Sequence, residues 1–160
     1  LNLSTKYIAQ VGIIASLYAV ITIILAPISY GPVQVRLSEA LTILPYLTSA
    51  AVPGLFIGCL VANVYGGLGL PDMIGGSLCT LLAAFLTYLL SKTRRPVLAP
   101  LPPVAVNSLG VSLYLHLLFN LPYWITVAYI ALGEFLACFI LGYPLLLFLL
   151  KRKKLVQMLR

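Results

Sequence analysis

Acidic side chains are nearly missing from this chain. Glu39, Asp72 and Glu134 are the only three in 160 residues, and residues of either charge make up just 8%. A soluble domain carries roughly a quarter charged residues, so a water-facing globule is excluded. Histidine is equally scarce: His116 stands alone, which rules out a multi-histidine metal site, and no paired glutamates accompany it as a membrane metalloprotease would require. Cys59, Cys79 and Cys138 all fall inside apolar runs without paired ligand spacing. They read as small buried hydrophobes. No glycine-rich loop ends in Lys-Ser or Lys-Thr, so the chain has no means of hydrolysing ATP. Ser77 and His116 make a poor dyad, because Gly76-Ser77-Leu78 lacks the glycine that follows the nucleophile in serine-elbow motifs. No cofactor is expected.

What the chain has in abundance is apolar sequence, 62% of residues with a mean hydropathy of +1.10. That surface must face lipid. A bilayer core of ~30 Å takes ~20 apolar residues per helix, with ~17–25 tolerated. On that measure an all-α integral membrane protein is expected, one domain over 1–160, with helices at about 7–26, 38–51, 53–65, 72–90, 97–119 and 123–150 and a basic tail at 151–160. The first run is too long for a signal-peptide core and reads as a helix. Pro27 suits its end, Ser38 suits a cap, and Pro53 suits a first turn. The second and third runs are short, so tilt or a broken segment is expected there.

The formal charge of +7 does not point to nucleic acid, because all but Arg36 of the ten basic residues flank apolar runs. Lys6 opens the chain, Lys92, Arg94 and Arg95 form a loop, and Lys151, Arg152, Lys153, Lys154 and Arg160 form the tail. Such clusters mark the cytoplasmic side. Six spans with both termini cytoplasmic put all nine there. Small residues recur at helical spacing in two runs: Gly54, Gly58, Ala62 and Gly66 in the third, and Gly12, Ala15, Ser16 and Ala19 in the first. They allow close helix approach, either within the chain or, for the first run, against another protein.

An ionised side chain at the bilayer centre costs ~2.5–3.5 kcal/mol even on the lenient insertion scale. Glu134 lies about eleven residues into the last run, hence ~16 Å deep at 1.5 Å per residue. It has no basic residue within two turns. Either it is a protonated acid bonded to a neighbouring helix, or it clamps a ligand. Arg36 and Glu39, at i and i+3, either neutralise each other locally or, with Gln34 and a lid stiffened by Gly31 and Pro32, face a polar ligand. Asp72 suits a helix cap, and Asn63 and Asn107 suit interhelical hydrogen bonds or ligand contacts.

Taken together, Gly31-Pro-Val-Gln-Val-Arg-Leu-Ser-Glu-Ala-Leu41, Pro53-Gly-Leu-Phe-Ile-Gly-Cys-Leu-Val-Ala-Asn63, Asp72-Met-Ile-Gly-Gly-Ser77, Pro103-Val-Ala-Val-Asn107 and Leu132-Gly-Glu134 resemble the QueT-type queuosine-precursor transporter family. The likeness runs from the first span to the last. It implies a six-helix substrate-binding S component of an energy-coupling factor transporter, partnered by a transmembrane T component and two ATPases. It also implies that Ala15-Ser-Leu-Tyr-Ala19 matches the alanine-x-x-x-alanine face offered to the T component. The implied substrate is a 7-deazaguanine such as 7-aminomethyl-7-deazaguanine. Its guanine-like edge offers two parallel donors to one carboxylate, and its aminomethyl cation suits a second. Glu39 and Glu134 are the expected pair, with Tyr30, Tyr123 or Trp124 stacking on the ring. Another polar vitamin-like ligand, and a stand-alone transporter, stay open as alternatives.

Overall fold

The computed structural model describes residues 4–30, 36–67, 69–152 and 156–157. Among these every regular element is helical. Helix α1 (Thr5–Ile24) is followed by α2 (Ala26–Ser29), a single turn with Pro27 in its first residues, so Pro27 falls just past the end of the first helix. A 3₁₀ segment (Leu37–Tyr46) precedes α3 (Ala51–Gly66), α4 (Leu70–Leu90) and α5 (Leu101–Phe119). Helix α6 (Tyr123–Phe135) runs through a π segment (Leu136–Gly142) directly into α7 (Tyr143–Lys151).

The surface is apolar, and the interior mixes apolar clusters with an unusual number of polar side chains. Ile24 and Trp124 are 72% and 74% exposed, and dozens of Leu, Ile, Val and Phe side chains join them outside. Inside lie Thr22, Ser38, Glu39, Thr42, Asn63, Asp72, Thr80, Thr87, Asn107 and Glu134. This inverts the order of a water-soluble fold and fits lipid, where polar groups must satisfy each other inside the bundle. Four helical stretches are long and apolar enough to cross a membrane: Thr5–Ile24, Leu70–Thr93, Pro96–Phe119 and Tyr123–Lys151. The chain is an all-helical membrane protein.

The expected α-helix over 38–51 is instead the 3₁₀ segment, and its sequence explains why. Pro45 has no N–H to give the carbonyl four residues back, and Thr42 spends its hydroxyl on the Glu39 carbonyl at 2.6 Å. A 3₁₀ helix rises ~2.0 Å per residue against ~1.5 Å for an α-helix, so ten residues reach further than an α-helix of that length. The segment runs antiparallel to α1: Ser38 meets Thr22 at 2.6 Å and Thr48 meets Gln10 at 3.4 Å. Ser38 therefore bonds across to α1 and is no cap, that position falling to Arg36. Pro53 sits in the first turn of α3 as expected.

Helices α1 and α3 run parallel and very close. A Cβ on Gly58 would lie 2.7 Å from the Ala15 carbonyl oxygen, and one on Gly54 would lie 3.0 Å from Ile14. Ala15 and Ala19 are accordingly buried. Within the chain Ala15 lies against Gly58 of α3. The exposed small residues of α1 are instead Ala9, Gly12 and Ser16, and a Cβ on Gly12 would meet nothing within 4 Å.

The last helix is irregular where it meets the 3₁₀ segment. Pro144 removes a backbone donor just after the π turn, and the wider register absorbs its ring. Gly142 allows the contact, since a Cβ there would lie 2.9 Å from the Ala40 carbonyl. The beginning of α1, the end of α4 and the turn after the 3₁₀ segment meet at one end of the bundle. Leu146 of α7 packs with Tyr46, Leu47 and Ala99 at that same end.

Candidate functional site

All three acids lie buried on the inner faces of the bundle. Glu39 enters on the 3₁₀ segment, Asp72 on the first turn of α4 and Glu134 near the end of α6. Asn107, from α5, joins two of them: its Nδ2 donates to Glu39 Oε2 at 3.3 Å and to Glu134 Oε1 at 3.0 Å. The Tyr18 hydroxyl on α1 donates to the other Glu39 oxygen. Among the described residues Glu134 Oε2 has only the Cys138 thiol, at 3.6 Å. Cys138 also reaches the Glu39 carbonyl and the Thr42 hydroxyl, so the 3₁₀ and π segments meet at the two glutamates.

Arg36 and Glu39 line the same cavity but do not form the local ion pair that is one of the two readings of their i, i+3 spacing. Arg36 Nη2 lies 3.8 Å from Asp72 Oδ2, its Nη1 lies 3.8 Å from Cys59 Sγ, and its guanidinium stands 5.6 Å from the centre of the Tyr30 ring. Asp72 is no cap either, Gly69 holding that position. Tyr114 donates to Asp72 Oδ1 at 2.6 Å, and Asn63 Nδ2 donates to the Asp72 carbonyl at 3.1 Å. Tyr30 donates to the Ala62 carbonyl, its ring lying on Gly66, where no side chain fits.

A cavity of about 20 Å³ lies between these groups, lined by Arg36, Glu39, Gly76, Thr80, Asn107, Val111, Ile130 and Glu134. That is space for about one water, so a bicyclic ligand enters only if the lining moves. Its polar equipment exceeds its internal needs. Asn107 Oδ1 in its lining, and Asn63 Oδ1 outside it, are buried without a hydrogen-bond partner, and buried polar atoms left unpaired call for a donor from elsewhere; Asp72 Oδ2 has the Arg36 guanidinium at 3.8 Å. A larger open cleft of about 460 Å³ lies at the basic end among Lys6, Tyr7, Gln10, Tyr46, Thr48 and Tyr88. None of the three acids lines it.

The site thus unites Arg36, Glu39, Asn107 and Glu134, with Asp72, Asn63 and Tyr30 connected to them through Arg36. Tyr123 and Trp124 are not brought in. Trp124 points outward, and Tyr123 packs on it and on His116, its hydroxyl reaching the Leu109 carbonyl at 3.5 Å. Gln34, Gly31 and Pro32 lie outside the described residues. Sequence reasoning gives Tyr18, Tyr114 and Thr80 no place in the site, and Cys138 only that of a small buried hydrophobe. Tyr18 carried a signal all the same, a phenol on a small-residue helix face, since a buried tyrosine hydroxyl seeks a partner.

No solved structure matches the chain. A queuosine precursor transporter, QueT, from Lactococcus lactis subsp. cremoris (strain MG1363) is 28% identical over 149 residues, covering 85% of this chain and 88% of the relative. The family model described as QueT transporter matches residues 8–151, which takes in every element that builds the site, so this chain belongs to the QueT transporter family, a family of transporters and not of enzymes.

Proposed function

We propose that this protein is the substrate-binding S component of an energy-coupling factor transporter that imports a queuosine precursor, a 7-deazaguanine such as 7-aminomethyl-7-deazaguanine. The observation that carries the reading is the sharing of one amide, that of Asn107, by the carboxylates of Glu39 and Glu134. A flat guanine-like ligand with an aminomethyl cation offers two acceptor-seeking ends, and two neighbouring carboxylates answer both. Arg36, Asp72, Asn63 and Tyr30 extend the site beyond the pair, the unpaired Asn107 and Asn63 oxygens taking further donors. The name of the Lactococcus relative supports the same substrate class.

In this reading six segments cross the membrane, the 3₁₀ segment and α3 included, and both termini are cytoplasmic. The gathering of Lys6, Lys92, Arg94, Arg95, Lys151 and Arg152 near one end of the bundle supports that orientation. A separate T component and two ATPases drive transport, because the chain has no nucleotide motif of its own. The T component docks on the exposed strip Ala9, Gly12 and Ser16 of α1, since Ala15 and Ala19 are covered. Binding of radiolabelled 7-aminomethyl-7-deazaguanine to the detergent-purified chain, with thiamine, riboflavin and biotin as controls, tests the substrate. Preferential binding of a control would replace the substrate. Uptake by liposomes holding this chain alone would reject the division of labour.

A further inference from the structure

Among the described residues three carboxylates and one cation occupy the interior. Arg36 is the only described basic residue at the site, and its nearest carboxylate is Asp72, at 3.8 Å. Glu39 and Glu134 are left as a carboxylate pair, 1% and 7% exposed, joined through a single neutral amide. Two such charges in a water-excluded space repel strongly, and burying each costs several kcal/mol.

The two acids are not equivalently held. Glu39 receives the Tyr18 hydroxyl on one oxygen and the Asn107 amide on the other, and Arg36 lines the same cavity. Two donors and a nearby cation favour the ionised form. Glu134 receives the amide on one oxygen and only a thiol at 3.6 Å on the other. From α4, Thr80 brings the cavity a hydroxyl and no charge. Cys59, on α3, is taken up by Thr80 and Arg36, and Cys79 lies against Gly110. Tyr114 is engaged by Asp72, to which its hydroxyl donates. No second cation faces Glu134 among the described residues.

We infer that Glu134 carries a proton in the ligand-free protein and that a cationic ligand enters by exchange for it. The inference rests on the proposed function, and it adds the stoichiometry of binding. The ligand arrives as an ammonium, the Glu134 carboxyl proton leaves to solvent, and the resulting carboxylate pairs with the ammonium. The net charge of the site is the same before and after. Asn107 then holds both carboxylates in place through the exchange. Protons compete with the ligand, so affinity falls as pH falls, approaching about tenfold per pH unit below the range where Glu134 titrates.

The test uses the detergent-purified full chain and 7-aminomethyl-7-deazaguanine. Calorimetric titration in two buffers of different ionisation enthalpy should report one proton released per ligand bound. Infrared spectroscopy of the ligand-free chain should show a protonated-carboxyl stretch that vanishes in Glu134→Gln and on adding ligand to the unsubstituted chain. Binding without proton release overturns the inference. So does a ligand-free spectrum lacking that stretch, which needs no variant to fold. If the probe does not bind at all, the proposed function fails, and the ligand-free stretch alone then decides the protonation of Glu134.

Discussion

Tyr18 donates its phenolic hydrogen to Glu39 across the fully buried contact between α1 and the 3₁₀ segment. One helix thereby aims a carboxylate that belongs to another. Tyr18→Phe keeps the ring in its packed position and removes only the donor. A hydrogen bond to a charged group contributes ~1.5–3 kcal/mol. We expect ligand affinity to drop by about tenfold or more while the thermal transition of the purified chain moves by a few degrees at most. Unchanged affinity would show that Glu39 needs no such positioning.

Glu39→Gln and Glu134→Gln should each weaken binding more than tenfold with expression retained, because truncating one partner of a buried charged contact costs ~2–5 kcal/mol. Asn107→Leu should be at least as damaging, since it releases both acids at once. Equilibrium binding to the three purified variants checks this, and wild-type affinity in both glutamate variants would move the site elsewhere.

Gly142 and Gly58 each lie against the backbone of a neighbouring element. Gly142→Ala puts a methyl 2.9 Å from the Ala40 carbonyl, and Gly58→Ala puts one 2.7 Å from the Ala15 carbonyl. Overpacking of this kind costs ~1–3 kcal/mol, and neither obstacle is a flexible side-chain end. Both variants should melt earlier in detergent. Gly142→Ala should also lose ligand affinity, because it forces the 3₁₀ and π segments apart next to Glu39 and Glu134; equal affinity in the two would separate that packing from binding.

The two faces of α1 should respond oppositely to bulk. Ala15→Trp and Ala19→Trp push into α3 and should abolish folding and ligand binding together. Gly12→Trp and Ser16→Trp, on the exposed strip, should bind ligand nearly normally yet fail to co-purify with a T component. Co-purification that survives both exposed-strip variants would place the partner on another surface.

Membrane orientation is open to labelling. In a background without Cys59, Cys79 and Cys138, Thr93→Cys should react with an impermeant maleimide only from the cytoplasm, and Asn120→Cys only from outside. External labelling of position 93 would overturn the six-crossing reading.

Much of this was legible in the residue order. Hydropathy is a local property, so apolar runs, their basic flanks and the three improbable acids stand out without any coordinates. So does the choice of Glu39, Glu134 and Asn107 as polar residues that lipid would not tolerate without a purpose. What hydropathy cannot carry is helix rotation. Ala15 and Gly12 sit on the same run of small residues, and only the packing of α3 decides that the first is covered and the second open. The same limit applies to pairing. Arg36 stands one helical turn from Glu39 in the chain, yet its nearest carboxylate is Asp72, because a 3₁₀ segment replaces the expected α-helix and α4 delivers Asp72 from beyond a third helix. Pro45 was in plain view, but its effect on the segment depends on what the segment must span and touch. The convergence of Tyr18, Glu39, Asn107 and Glu134 joins four elements distant in the chain, and contacts of that kind arise from the mutual orientation of helices, which no local pattern encodes.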